Sequence, residues 1–292
     1  MDIILHVMTS KGFIFLKTFL KYSNKKVLYV VSESDKSINN DFFNEIKNLC
    51  NEFSITFYKR NECPSLIQSD LVIAVSWKWI INHCQNKIIV IHDSLLPKLR
   101  GFNPLVTALI NGHKEIGATA IYASKEYDQG EIIYQSKTTI NYPITIEKAI
   151  NLIHKNYIEI AVFITKFFNN DSLPPSEPQD EGKASYSLWR NDSDYFINWF
   201  LSSVEIIRFI DAVGYPYKGA ASYIHDTQTR IIKASLFDDV NIENRCPGKI
   251  IFQKGDFPIV VCGKGLIKIE KLENNSGESL LPLSKFRIKF TT

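Results

Sequence analysis

The stretch Leu71-Val72-Ile73-Ala74-Val75 places five apolar residues in succession, without the polar alternation of a strand that faces water on one side. Similar short apolar runs recur through the first half of the chain and alternate with amphipathic stretches. We predict strands at residues 3–7, 26–31, 55–58, 71–75, 87–91, 119–123 and 131–140, and helices at residues 14–22, 40–53 and 145–168. Apolar strands that alternate with helices predict an α/β fold with a doubly wound, mostly parallel, Rossmann-like sheet.

The second half of the chain has a different pattern. Residues 169–184 contain three prolines and a glycine and are interpreted as a linker. Beyond them we predict a helix at residues 203–213 and short strands at residues 221–224, 229–236, 248–252, 259–262 and 265–272. The sequence therefore predicts an α/β domain over residues 1–168 and a small β-rich C-terminal domain over residues 185–292.

The composition is that of an ordinary folded domain and excludes disordered, collagen-like and coiled-coil chains. The chain has 292 residues, of which 45% are apolar and 22% charged, and its formal net charge is only +3. A nucleic-acid-binding protein usually concentrates more positive charge, so we expect no nucleic-acid partner. No run reaches the ~20 apolar residues that span a bilayer. Met1-Asp2 lacks the positive charge that begins a signal peptide, so we expect a cytoplasmic protein without membrane insertion.

The five cysteines show no C-x-x-C spacing. Cys84 and Cys262 lie beside apolar runs and are expected to be buried thiols in a reducing compartment. No cluster of His, Cys, Asp and Glu has the spacing of metal ligands, so we expect no metal.

Two segments carry candidate chemistry. In Ile91-His92-Asp93-Ser94-Leu95-Leu96-Pro97-Lys98-Leu99-Arg100-Gly101, a histidine ends a predicted strand and begins a polar loop, a position where α/β proteins bind ligands. In Glu126-Tyr127-Asp128-Gln129-Gly130, an aspartate lies in a turn before a strand. Taken singly, a histidine at a strand end and an Asp-x-Gly turn are more often structural than catalytic.

Together, these segments resemble the formyltransferases that use 10-formyltetrahydrofolate. The family motif is a strand ending in Asn-x-His, then Pro-Ser-Leu-Leu-Pro, a basic turn to Gly, and later an Asp-x-Gly followed by an Ile-rich strand. Here residues 92–101 match, with Asp93 in the proline position, and residues 128–133 match the second part. The resemblance covers residues 1–165 and continues more weakly through residues 247–265.

The resemblance implies catalytic roles for two residues. His92 would stabilise the oxyanion or move a proton, and Asp128 would orient His92 or accept a proton from the incoming amine. The family asparagine, which steadies the oxyanion, falls on Val90, which has no donor. Asn103 could replace it, His92 could carry the oxyanion alone, or the protein could bind its ligands without turnover; we favour an active enzyme.

The resemblance also implies binding residues for two substrates. The co-substrate 10-formyltetrahydrofolate is expected along a segment after the fourth strand and at Asp128; without the resemblance, the tryptophans of this segment are equally well interpreted as core residues. The predicted cofactor-binding residues are Ser76, Trp77, Trp79, Ile80, Ile81 and Asp128. The predicted substrate-binding residues are Lys78, Ser94, Lys98 and Arg100.

Among the substrates of this family, we favour a nucleotide-linked aminodeoxy sugar used in surface glycan biosynthesis. The alternatives are a methionyl-tRNA formyltransferase and a ligand-binding relative inactivated by Val90. The second domain is rich in aromatic residues, which are interpreted as packing, including at a homodimer interface, in preference to binding sugar. These residues are Tyr195, Phe196, Trp199, Phe200, Tyr215 and Tyr217.

Overall fold

The structure is a computed structural model that describes residues 1–64, 69–81 and 87–292. It divides into two compact units. The first contains Met1–Leu105, Glu115–Ile140 and Ala149–Leu188, and the second contains Val106–Lys114, Asn141–Lys148 and Trp189–Thr292.

The first unit is built on a seven-stranded mixed sheet. The strands of this unit are β1 (Asp2–Val7), β2 (Lys26–Ser32), β3 (Thr56–Lys59), β4 (Leu71–Val75), β5 (Lys87–His92), β6 (Arg100–Gly101), β7 (Glu115–Tyr122), β8 (Ile132–Thr139) and β9 (Tyr186–Ser187). The sheet order is β3-β2-β1-β4-β5-β7-β8, whereas β6 and β9 form a separate parallel pair. The first five strands pair in parallel, and β7 and β8 pair antiparallel.

The order of the strands indicates which edge of this sheet can bind a ligand. Chain order reverses between β1 and β4, and ligands of open α/β sheets bind outside the carboxyl ends of the strands at such a point. All five residues of β4 are buried, as expected for a strand covered on both faces. His92 ends β5, the next strand along, and therefore lies at the same edge.

The helices are α1 (Thr9–Tyr22), α2 (Phe43–Glu52), α3 (Pro104–Ile110), α4 (Ile146–Asn169) and α5 (Ser203–Ala212). The helix predicted to begin at residue 14 begins at Thr9, because the chain turns from β1 into α1 through a left-handed residue, Thr9 with φ +62°. Thr145 caps the start of α4, since Thr145 Oγ1 accepts a hydrogen bond from Lys148 N at 3.3 Å.

The second unit contains a six-stranded antiparallel sheet of β10 (Ala220–Ile224), β11 (Thr227–Phe237), β12 (Ile250–Lys254), β13 (Phe257–Val261), β14 (Leu266–Asn274) and β15 (Phe290–Thr291). The aromatic residues that were predicted to pack in this unit differ in burial. Trp199 is buried and donates to Ser222 Oγ at 3.1 Å, whereas Phe200 is 77% exposed. The homodimer interpretation stays a prediction.

The predicted fold class is confirmed: a mixed, mainly parallel sheet with helices, followed by a β-rich C-terminal region. The boundaries at residues 168 and 185 stay a prediction, because the second unit also takes in Val106–Lys114 and Asn141–Lys148. The sequence analysis missed α3, a short helix that directly follows the polar loop. Among the described residues, no helix is long and apolar enough to cross a membrane.

Candidate functional site

The structure brings His92 and Asp128 together. His92 is 8% exposed, and its Nε2 donates a 2.8 Å hydrogen bond to the carbonyl oxygen of Leu99. A carbonyl can only accept, so Nε2 carries a hydrogen and Nδ1 is the ring atom that faces Asp128. Nδ1 lies 3.5 Å from Asp128 Oδ1. This contact is longer than a hydrogen bond, as is common at catalytic pairs before the reactants bind.

Asp128 has its carboxylate positioned by its own backbone conformation and by a hydrogen bond from Gly101 N. Its φ of +57° lies in the left-handed region, which non-glycine residues seldom adopt outside functional sites and turns. Its Oδ2 accepts a 2.8 Å hydrogen bond from Gly101 N. The Asp-x-Gly pattern has a steric reason, because a Cβ at Gly130 would lie 1.5 Å from Tyr122 O. Only glycine allows that approach, which sets the turn that presents Asp128.

The loop after His92 is fixed by its own polar groups, and this changes the interpretation of Ser94. Ser94 is 5% exposed, its Oγ donates to Lys98 O at 2.6 Å, and its carbonyl accepts from Thr119 Oγ1 at 2.6 Å. Ser94 was predicted to bind substrate, but in this structure its hydroxyl hydrogen-bonds to the backbone of its own loop. Lys98, by contrast, is exposed at the surface of the loop and remains accessible to a ligand.

Arg100, the other predicted substrate-binding residue of this loop, is fully buried and paired with carboxylate and amide groups. Its Nη1 and Nη2 donate to the two carboxylate oxygens of Glu181 at 2.8 and 2.6 Å. Its Nε and Nη2 donate to Gln179 Oε1 at 3.1 and 2.8 Å. A substrate anion would have to displace Glu181, so the structure gives Arg100 the role of a loop anchor.

The segment predicted to bind the co-substrate follows β4. Trp77 and Ile81 pack against the buried cluster of Ile4, Tyr29, Val31 and Val72, which agrees with the core interpretation. Trp77 nonetheless keeps a buried indole N–H with no hydrogen-bond partner among the residues that the structure describes. Buried donors are normally paired, so this N–H is an exception among the described residues of the segment.

The remaining residues of this segment face outward to different degrees. Trp79 lies edge-on to Trp77, with ring centres 5.0 Å apart, and its ring is covered by the guanidinium of Arg60 at 4.6 Å. Ile80 is 72% exposed, and Ser76 has a left-handed φ of +54° at the end of β4. The backbone therefore turns sharply where the strand ends.

Lys78 was predicted to bind phosphate, and the structure pairs it with Asp35. Asp35 also accepts hydrogen bonds from the backbone and hydroxyl of Ser37, at 3.1 and 2.6 Å. Burial acts to raise the pKa of Asp35, but Lys78 and Ser37 outweigh burial and hold that pKa below its usual range. A phosphate at Lys78 would compete with an ionised carboxylate.

Val90 and Asn103 occupy different places. Val90 lies on β5 between Ala74 of β4 and Ile121 of β7, two residues before His92 and so on the same face of the sheet. Asn103 lies half-buried directly before α3, with a left-handed φ of +49°. In the part of the chain that the structure describes, Asn103 makes no hydrogen bond to His92.

A polar cluster that was not predicted from the sequence lies next to the site and is formed by Lys11, Asp93 and Tyr157. Lys11 forms a salt bridge with Asp93, and the Tyr157 hydroxyl donates to the other carboxylate oxygen; the Lys11 and Asp93 side chains are 13% and 16% exposed. Burial acts to raise the pKa of Asp93, but Lys11 and Tyr157 hold that pKa below its usual range. The available signal was Asp93 itself, a charge where the family motif has proline.

Two of the described cysteines, Cys50 in the first unit and Cys262 in the second, are buried. Burial raises the pKa values of Cys50 and Cys262 to about 12, so these thiols are unreactive at neutral pH. Cys84 lies outside the described residues. Within the described ranges there is no group of three or more His, Cys, Asp or Glu side chains that could hold a metal ion.

Comparison with known proteins gives one family. The formyl transferase family matches residues 59–164, and the formyl transferase C-terminal domain matches residues 191–286, which together cover more than half of the chain. The chain is 27% identical over 254 residues to methionyl-tRNA formyltransferase from Thermodesulfovibrio yellowstonii, over 87% of this chain and 75% of that protein.

Two solved structures share the fold. The N-formyltransferase from Helicobacter canadensis, in complex with folinic acid and dTDP-3-aminofucose, matches 91% of this chain and 98% of its own length, with a TM-score of 0.67 and 18% identity. A variant of HypX from Aquifex aeolicus matches 96% of this chain with a TM-score of 0.64 and 17% identity, but this chain spans only 45% of HypX. On its two family matches, the chain belongs to the formyltransferase family of enzymes.

Proposed function

We propose that the protein is an N-formyltransferase that moves a formyl group from 10-formyltetrahydrofolate to the amine of a nucleotide-linked aminodeoxy sugar. The observation that carries the proposal is the pairing of His92 with Asp128 at the carboxyl edge of the sheet, 3.5 Å apart. Both residues are largely enclosed, which strengthens electrostatic interactions with a reacting group.

The chemistry of formyl transfer needs a neutral amine and a group that takes its proton. The Nδ1 atom of His92 and the Asp128 carboxylate lie 3.5 Å apart, so either group can accept a proton from an amine bound next to the pair. A protonated His92 then stabilises negative charge on the formyl oxygen. Leu99 O holds the opposite ring nitrogen, so the imidazole plane is fixed while the proton moves.

The co-substrate would supply the formyl group, and the segment after β4 fits its binding. The unpartnered indole N–H of Trp77 offers a donor to a ligand oxygen, and the half-buried ring of Trp79 offers an apolar face. Asp128 would contact the formyl end, because it shares the site with His92. Exposed Lys98 is suited to the phosphate of the second substrate.

Two observations support a small nucleotide sugar over tRNA. The Helicobacter canadensis N-formyltransferase structure matches 91% of this chain with a TM-score of 0.67, whereas the methionyl-tRNA formyltransferase structure from Clostridium thermocellum matches 81% with a TM-score of 0.55. Residues 189–292 carry fourteen Lys and Arg against twelve Asp and Glu. Several of these cations are paired within the unit, including Arg245 with Asp239 and Lys268 with Glu270. Such a surface offers little free positive charge to a phosphate backbone.

The function is tested by offering the protein 10-formyltetrahydrofolate with each acceptor separately. We expect tetrahydrofolate release with at least one member of a panel of dTDP- and UDP-linked aminosugars, and none with initiator methionyl-tRNA. Release with the tRNA alone would overturn the sugar assignment. Binding of the folate without release under any condition would identify an inactive relative.

Replacing Val90 with asparagine is expected to raise turnover, by at most the ~10²–10³-fold that one oxyanion donor contributes. The new amide would lie on the face of β5 that carries His92. The measurement is kcat for Val90→Asn beside Asn103→Ala, which we expect to be silent. A large loss of kcat in Asn103→Ala, with no rise of kcat in Val90→Asn, would show instead that Asn103 is the donor. In that case, the unpaired amide in Val90→Asn would cost ~1–3 kcal/mol of stability.

A further inference from the structure

Gln179 connects the two loops that carry the candidate catalytic pair. It lies in the segment predicted as a linker, and its side chain reaches the Asp128 turn. Its Nε2 donates 2.7 Å hydrogen bonds to the carbonyl oxygens of Asp128 and Gly130. Its Oε1 accepts two hydrogen bonds from the buried guanidinium of Arg100. All four contacts are within normal hydrogen-bond distance.

The partners of Gln179 determine which way its amide points. The carbonyls of Asp128 and Gly130 can only accept, and the Arg100 guanidinium can only donate. The amide therefore has one orientation that satisfies every partner. An isosteric carboxylate would keep the acceptor for Arg100 but lose both donors to the turn.

Three consecutive residues of the loop after His92 contact His92, Gln179 and Asp128 in turn. Leu99 O accepts from His92, the Arg100 side chain donates to Gln179, and Gly101 N donates to Asp128 Oδ2. Gln179 thus closes a ring of hydrogen bonds that joins the Asp128 turn to the loop that holds His92. Glu181 completes the anchor by accepting from Arg100 Nη1 and Nη2, and Nη1 also donates to the Tyr186 hydroxyl at 3.4 Å.

We propose that Gln179 is a positioning residue, which holds the left-handed Asp128 turn so that the Asp128 carboxylate faces Nδ1 of His92. The proposal rests on the proposed roles of His92 and Asp128. Gln179 contacts Asp128 through the main chain and touches neither the imidazole nor the carboxylate. Gln179 acts on the Asp128 carboxylate through the turn and on the loop that holds His92 through Arg100, and Gln179→Glu, which keeps the Arg100 contact, isolates the first effect.

The first test does not need the substrate. In protein labelled with ¹⁵N-histidine, the His92 ring-nitrogen signals are assigned with His92→Gln and followed in Gln179→Ala, Gln179→Glu and Asp128→Asn. We expect both Gln179 variants to shift the His92 signals in the same direction as Asp128→Asn, and to add no further shift in the Asp128→Asn background. The exposed Gln253→Ala is the matched control and should leave the signals unchanged.

The proposal would be overturned if folded Gln179→Glu left the His92 signals unchanged. It would also be overturned if the shifts in the Gln179 variants added fully to those of Asp128→Asn. Gln179→Glu keeps the Arg100 contact and guards against an unfolded Gln179→Ala. Once an acceptor is known, both variants should lower kcat by ~10–10²-fold, the cost of misplacing a catalytic group, with KM unchanged for both substrates. A missing activity in the wild type would contradict the proposed function and leave the spectroscopic result standing.

Discussion

Alanine at His92 and asparagine at Asp128 are each expected to lower turnover by at least ~10²-fold, the size of lost acid–base or electrostatic help in an enclosed site. Each change removes one side of the 3.5 Å pair to which we assign the proton transfer. The measurement is the initial rate of tetrahydrofolate release at saturating substrates. Circular dichroism and the Tm show whether each variant is folded, and a folded variant with a wild-type rate would contradict the assignment.

The losses of turnover caused by the His92 and Asp128 substitutions should not be additive in free energy. Since our proposal has His92 and Asp128 act on the same proton, we expect the double variant to be about as slow as the slower single variant. Rates that multiply would show instead that the residues act at separate steps.

Asp93→Ala is expected to cause the largest loss of stability, about 3–5 kcal/mol at pH 7. The change leaves the Lys11 ammonium without its counter-ion and the Tyr157 hydroxyl without its acceptor, in a position with little exposure to water. Urea unfolding of the wild type and the variant measures the difference. The double variant Lys11→Met/Asp93→Leu removes both charges and should recover most of the loss, because no unpaired charge remains.

The Asp93 contribution should depend on pH in one direction. The pKa of Asp93 is lowered in the folded protein, so the ionised carboxylate stabilises the fold at all pH values above its ordinary range near ~4. As the pH falls from that range through the lowered value, the folded protein takes up the proton and the contribution is lost. The difference between the wild type and Asp93→Ala should therefore shrink below about pH 4. If the free energies of unfolding of the wild type and Asp93→Ala differ by less than about 1 kcal/mol at pH 7, the Lys11 ammonium is solvated by water when Asp93 is absent.

Much of the fold could be predicted from local sequence. The apolar run at Leu71–Val75 became a strand buried at every residue, because such a run can be stable only between two covering layers. The helix boundaries were less accurate, since α1 begins at a left-handed Thr9, a conformation that depends on where the next element packs. The resemblance linked His92 with Asp128, and the structure brings them within 3.5 Å although 36 positions separate them in the chain.

The roles of the charged residues could not be predicted in the same way. Arg100, Lys78 and Ser94 have the chemistry of ligand-binding groups, and each has a partner within its own chain. Arg100 pairs with Glu181 and Lys78 with Asp35, across 81 and 43 residues. A sequence shows that a cation is present but not which distant carboxylate neutralises it.

By itself, the sequence determined the α/β order of elements and the two segments that carry His92 and Asp128, because apolar periodicity and turn-forming glycines act over a few residues. Only the tertiary structure decided that residues 177–187 pack on the site loops, with Gln179 and Glu181 on Arg100 and Ser185 on Leu99. The same holds for the buried Lys11, Asp93 and Tyr157 cluster. Hydrogen bonds and ion pairs between distant segments form only after the backbone has brought their partners within about 3 Å.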